Sequence, residues 1–160
     1  MSCFVYVIDY RDKVKVGRTQ NLQRRIRQLE TGAGKAIERY FYISASSTLE
    51  TAVHRELKAK RDIGEYFTCS FSEALSAVLR FAPHYGAENN GFIVSPTLTN
   101  KIKSCYAING TTQAKVAESI GISRQLLNKK LNTAVFPCED VALILSTVDI
   151  EKCPYWKISP

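Results

Sequence analysis

The sequence predicts an α+β protein: a small mixed or antiparallel sheet flanked by helices, followed by an all-α second part. Three observations predict it. The stretch Phe4 to Val16 alternates with the two-residue period of a hairpin. Several later stretches instead repeat their apolar residues at helical spacing. Between the two textures lies Pro83 to Thr99, with two prolines, two glycines and an Asn-Asn-Gly run but no sustained period.

In the hairpin, Phe4, Tyr6 and Ile8 point one way and Val5, Val7 and Asp9 the other, so one buried face is expected. Arg11-Asp12-Lys13 forms the turn, and Val14 and Val16 resume the alternation. Gly17 to Asn21 breaks it. Asn21 is a natural N-cap for a helix with Leu22, Ile26 and Leu29 on its apolar face and Arg24, Arg25 and Arg27 elsewhere. Gly32-Ala33-Gly34 stops that helix, and Ala36 to Ala45, aromatic and β-branched, reads as a third strand. Ser47-Thr48-Leu49-Glu50 fits a capping box, opening a helix with Leu49, Val53 and Leu57 inward. Arg61 to Gly64 reads as a turn, Tyr66 to Cys69 as a short strand, and Ser72 to Phe81 as a helix packing through Leu75, Val78 and Leu79.

The pattern divides the chain into a first domain over 1–82, a linker over 83–98 and a second domain over 99–160. In the second, Ile102 to Ile108 makes one helix and Thr111-Thr112-Gln113 caps another with Val116, Ala117 and Ile120 inward. Ser123 caps a third containing Leu126, Leu127 and Leu131 as core. Pro137-Cys138-Glu139 starts a fourth with Val141, Leu143, Ile144 and Leu145 apolar, and Pro154-Tyr155-Trp156 is expected to pack back as a lid.

Composition narrows the function. The 160 residues carry a formal charge of +7, which favours a polyanionic partner, nucleic acid first. Residues 1–85 hold 14 Lys and Arg against 9 Asp and Glu, net +5; residues 86–160 hold 8 against 6, net +2. The five cysteines form no CxxC pair and only two histidines accompany them, so neither a zinc site nor a disulfide framework is expected. They read as reduced core residues of a cytoplasmic protein. No apolar run has the length of a membrane span, and Met1-Ser2-Cys3 runs straight into a strand, so neither a membrane nor a signal peptide is expected.

Two resemblances add to this reading. Phe4-Val5-Tyr6, then Val14-Lys15-Val16-Gly17-Arg18-Thr19, Arg25, Glu50 and Gly64-Glu65-Tyr66-Phe67 together resemble the GIY-YIG nucleases over about residues 3–80. The likeness is greatest to their phage branch of T5orf172 type. It implies hydrolysis of DNA phosphodiesters with one divalent ion, Mg²⁺ or Mn²⁺, held by Glu50, and no small-molecule cofactor. Tyr6 stands at the first family tyrosine, as base or as orienter of the water. Lys15 replaces the second family tyrosine and is expected to lower the phenol pKa of Tyr6. Arg25 would neutralise phosphoryl oxygens, with Arg18 and Arg24 nearby on DNA, and His54 would be a proton donor or phosphate contact. Glu50 has a competing role as the capping-box glutamate, and the family asparagine has no evident match, with Glu65 near its place.

Residues 113–131 resemble a phage Cro-type helix-turn-helix, a likeness spanning about 99–148. It implies base reading by Arg124, Gln125, Asn128 and Lys129, and phosphate contacts from Lys115, Ser123 and Lys130. The partners expected are DNA and a second copy of the chain paired through this segment, in a bacterial cell hosting a phage or prophage. Two alternatives stay open: a non-catalytic DNA-binding regulator, and an antirepressor that uses the helix-turn-helix to pair with a repressor.

Overall fold

The structure is a computed structural model describing residues 2–32 and 34–148. The expected aromatic lid at 154–156 and Cys153 lie outside the described residues. The chain divides into two compact units, Met1–Ile93 and Val94–Pro160.

In the first unit, β1 (Ser2–Asp9) and β2 (Val14–Thr19) form the expected hairpin, followed by α1 (Leu22–Gly32), β3 (Arg39–Ser46) and α2 (Thr48–Glu56). A single 3₁₀ turn at Lys58–Lys60 leads to β4 (Tyr66–Phe67), then α3 (Phe71–Phe81) and a second 3₁₀ turn at Ala82–Tyr85. The order across the sheet is β4-β2-β1-β3-β5, with β5 (Phe92–Val94) at the unit boundary. The β1–β2, β1–β3 and β2–β4 pairs are antiparallel. The result is a mixed α+β fold.

The single buried face expected of the hairpin is corrected: both faces are covered. Tyr6, Ile8 and Tyr10 pack with Ile26 and Leu29 of α1. On the other parity, Val5, Val7, Val16, Phe41 and Ile43 are fully buried, and α2 and α3 contact β2 and β1. Alternation of apolar and aromatic residues marks two different cores here, because the aromatic side is covered too.

Helix starts depend on the backbone conformation delivered to the cap as well as on the motif. Asn21 caps α1 as expected, its Oδ1 accepting from the Arg24 N–H at 3.0 Å. Ser47 does not cap α2: its backbone is already helical (φ −58°, ψ −23°) and its side chain makes no cap bond. The capping box belongs instead to α3, where Ser70 and Glu73 satisfy each other's backbone N–H. Glu50 is therefore free of the structural duty that competed for it.

The second unit holds α4 (Pro96–Ile108), α5 (Gln113–Ser119), α6 (Arg124–Thr133), β6 (Val135–Pro137) and α7 (Cys138–Ser146). The stretch 83–98, expected as a linker, contains most of a 3₁₀ turn, β5 and the first turn of α4. Ser95 explains the early helix: its side chain caps the Leu98 N–H, and Pro96 sits at the first helical position, where a missing N–H costs nothing. Thr112 and Ser123 cap α5 and α6 in the same way, and Gly121 takes φ +74° in the turn between them. Val116, Ala117, Leu127 and Leu131 are buried. Leu126 and Leu143, expected in the core, are exposed at 43% and 45%, because Leu127 and Leu131, one turn apart, already define the inward stripe of α6, and Ile144 takes the buried position on α7.

Cys3, Cys69 and Cys105 are buried and Cys138 half-buried, and none of the four is in a disulfide. Among the described residues no helix is long and apolar enough to cross a membrane.

Candidate functional site

The candidate site lies along the outer edge of β2. Strand β4 pairs with only the first two residues of that edge, Val14 with Phe67 and Lys15 with Tyr66. Val16 next to it is held by the Glu65 carbonyl and by His54, and past Val16 no strand among the described residues covers the edge, so side chains from α1, on one face of the sheet, and α2, on the other, can meet around it.

Tyr6 and Gly17 are cross-strand partners in the β1–β2 register. The phenol ring lies across the glycine: a Cβ on Gly17 would stand 2.4 Å from the Tyr6 hydroxyl oxygen, closer than any real carbon contact. The glycine is there to admit the ring. Gly17→Ala is expected to displace Tyr6 and destabilise the fold by about 1–3 kcal/mol, as overpacking does, measured by urea denaturation; an unchanged midpoint contradicts this placement.

The Tyr6 hydroxyl accepts a 3.0 Å hydrogen bond from Arg25 Nε. Tyr6 has no exposed surface. Burial pushes its phenol pKa up, outweighing the hydrogen bond and charge of Arg25. Two expectations are corrected by this. The phenol pKa is not lowered, and Lys15 is not its direct cross-strand partner: the register places Lys15 opposite Ile8. The Lys15 ammonium instead lies 2.6 Å from Glu65 Oε2 and 4.6 Å over the Tyr66 ring. The same Glu65 oxygen is 4.0 Å from Arg25 Nη2. Glu65, given no role by the sequence, is thus the carboxylate that joins the two cations. Its signal was the Gly64-Glu65 pair, since Gly64 at φ +60° turns the chain so that the Glu65 carbonyl accepts from the Val16 N–H.

Glu50, on α2, is 9% exposed and pairs with Arg18 Nε at 3.0 Å through Oε2. Burial pushes its carboxyl pKa up, and the neighbouring Arg18 guanidinium opposes that rise only in part. A buried carboxylate with no cap role, beside an exposed guanidinium, is a costly arrangement for stability alone. Arg18 also donates to the Ser47 carbonyl at 3.3 Å. His54 is not a free proton donor. Its Nε2 meets the Val16 carbonyl at 2.9 Å, its Nδ1 meets Arg61 Nη2 at 3.0 Å, and its ring packs edge-on to Phe67. The carbonyl takes a proton and the guanidinium gives one, so the two contacts define the Nε2–H tautomer and use both nitrogens.

Among the described residues no group of three or more His, Cys, Asp or Glu side chains could hold a metal ion. Glu50 offers a single carboxylate, and a hard ion such as Mg²⁺ needs only one or two, completing its shell with water and phosphate oxygens. Around the start of α1, Arg18, Arg24 and Arg25 line one open concavity of about 470 Å³ with Asn21 and Gln28.

In the second unit Arg124, Gln125, Asn128, Lys129 and Lys115 are exposed. Asn128 accepts from the Gln113 side chain at 3.4 Å. Two of the expected phosphate contacts have internal partners: the Ser123 hydroxyl accepts from the Leu126 N–H, and Lys130 pairs with Asp140 of α7.

A buried tyrosine bonded to a half-buried arginine, a buried glutamate and a cluster of cations thus meet at one strand edge. Residues 3–82 match the T5orf172 domain, a GIY-YIG-like phage domain; that is half of the chain, and the chain belongs to this family. No curated protein and no solved structure matches it.

Proposed function

We propose that the protein is a metal-dependent DNA endonuclease, targeted to duplex DNA by a helix-turn-helix formed by α5 and α6. The observation that carries the catalytic half is Glu50: a buried carboxylate, relieved of any capping duty, whose counter-ion Arg18 is half-exposed at 51% and can leave it. Glu50 would hold the divalent ion, which when bound supplies an acidified water and neutralises developing phosphoryl charge. Arg25, whose Nε binds Tyr6 while its Nη2 lies 4.0 Å from Glu65, would hold the phosphate, and Arg18 and Arg24 would follow the backbone along the α1 concavity. Tyr6, being buried, acts through Arg25 as a positioning residue. The targeting half is supported by the capped α5–α6 pair, its small buried Ala117 at the crossing, and the exposed polar row Arg124, Gln125, Asn128 and Lys129. The cellular setting we infer is the cytoplasm of a phage-bearing bacterium, with DNA as partner and a second copy paired through α5 and α6.

The test is incubation of the full chain with supercoiled, linear and single-stranded DNA in Mg²⁺, Mn²⁺ or chelator. Cleavage that needs the ion and stops in chelator is expected. Tight binding without cleavage in any ion would instead support the regulator. For targeting, Arg124→Ala or Gln125→Ala is expected to cost about 1–3 kcal/mol at the preferred site and relax discrimination there. Equal loss on all sequences, read by competition binding, would place both residues on phosphate.

A further inference from the structure

We propose that Glu65 is a built-in occupant of the phosphate subsite: its carboxylate rests between Lys15 and Arg25, and a phosphodiester oxygen takes its place when nucleic acid binds. The inference rests on the nuclease reading of the site and names what fills it beforehand.

The two partners of the pair are unequally free. The Lys15 side chain is 9% exposed, whereas that of Glu65 is 39% exposed. Lys15 is further fixed by the Tyr66 ring beneath its ammonium. The Glu65 backbone is held by the bond from the Val16 N–H to its carbonyl and by the adjoining Lys15–Tyr66 strand pairing. Its carboxylate can therefore swing out while the strand edge stays in place. A buried ammonium left without an anion is strongly unfavourable, so the carboxylate leaves only when another anion arrives. The event is an exchange of anions on a fixed cation. Oε2, the oxygen that meets Lys15 at 2.6 Å, is also the one nearest Arg25. One anionic oxygen shared by a lysine and an arginine is what a non-bridging phosphate oxygen would present to them. This also gives Lys15 a purpose in the place of a tyrosine: it is the second cation of a phosphate clamp.

The exchange predicts a gain of binding on removing an acidic residue. Full-length protein in chelator is titrated calorimetrically with thymidine 3′,5′-bisphosphate, a probe that carries phosphate and needs no cleavage. Glu65→Gln is expected to bind it about tenfold more tightly than wild type, a difference of about 1.4 kcal/mol. Lys15→Met is expected to remove that gain in the double variant. Glu88→Gln, an exposed site with the same charge change, is expected to leave affinity unchanged. Equal or weaker binding by Glu65→Gln overturns the proposal, as does a gain matched by Glu88→Gln. Should Glu65→Gln fail to fold, the wild-type protein decides: the Glu65 side-chain carboxyl carbon resonance must move as the probe saturates, and a stationary resonance overturns the exchange. Anion exchange without Mg²⁺-dependent DNA cleavage would sink the nuclease reading and keep this one; cleavage with no gain at Glu65→Gln would do the reverse.

Discussion

Glu50→Gln is expected to abolish metal-dependent DNA cleavage, by about 100-fold or more in rate, while the folded chain becomes no less stable at neutral pH. The first half follows from donor chemistry: an uncharged amide is a poor ligand for a hard divalent cation that takes carboxylate oxygens. The second half follows from the direction of the Glu50 pKa. Burial raises it above its ordinary 4.5, so between that value and the raised one the folded chain holds a proton that the unfolded chain has lost. Stability therefore falls as pH rises through that window, and above it the ionised Glu50 leaves the fold less stable than a neutral group would. Glutamine is neutral throughout, so the melting temperature of Glu50→Gln should equal or exceed that of wild type at pH 7. Its advantage should shrink as pH is lowered toward 4.5. Arg18, the counter-ion left behind, is 51% exposed and can be hydrated. Metal affinity of the wild type should fall over the same pH window, because protons and metal compete for one carboxylate. A variant that melts well below wild type at pH 7 would show Glu50 to be structural. One that still cuts would show that the ion is held elsewhere.

What the sequence disclosed and what it hid follow from the range of the interactions involved. The hairpin, α1 with its Asn21 cap, and the caps at Thr112 and Ser123 are local, set by residues within a few positions, and were legible. The covering of both sheet faces was not, because Tyr6, Ile8 and Tyr10 meet Ile26 and Leu29 only through tertiary contact. The capping box at Ser47 was a false lead of the opposite kind: the motif is present, but the strand before it delivers Ser47 already in helical conformation, and Ser70-x-x-Glu73 forms the real one. At the site, Tyr6, Lys15, Arg25 and Glu50 were all legible in the sequence, yet the pairing of the Lys15 ammonium with Glu65 rather than with the Tyr6 phenol was not. Tyr6 and Ile8 lie two positions apart on the same face of β1, so the period alone allows either opposite Lys15, and only the register decides between them. Glu65 was visible but had no role, since its partners are 50 and 40 residues away along the chain, as the numbering of Lys15 and Arg25 gives.

Arg25→Lys is expected to lower the cleavage rate by about 100- to 1,000-fold, the loss typical of removing a donor aimed at transition-state charge. Arg25 uses two ends of one planar group: Nε binds the Tyr6 hydroxyl at 3.0 Å, and Nη2 lies on the side of Glu65. A lysine ammonium keeps the charge but cannot satisfy the buried phenol and a phosphate oxygen in fixed relation to each other. Tyr6→Phe tests the other end of the contact. If Tyr6 served as the base, the variant would lose the pH-dependent limb of the rate profile; as a positioning residue it should keep the profile's shape and lose about tenfold in rate. The double variant separates the roles further. Residues acting through one another are non-additive, so Tyr6→Phe with Arg25→Lys should cut no more slowly than Arg25→Lys alone. Multiplied losses in the double variant, or a flattened pH profile in Tyr6→Phe, would return Tyr6 to the reacting atoms. Retention of cleavage by Arg25→Lys within tenfold of wild type would remove Arg25 from the phosphate, leaving it as the hydrogen-bond partner that a phenol with no exposed surface requires.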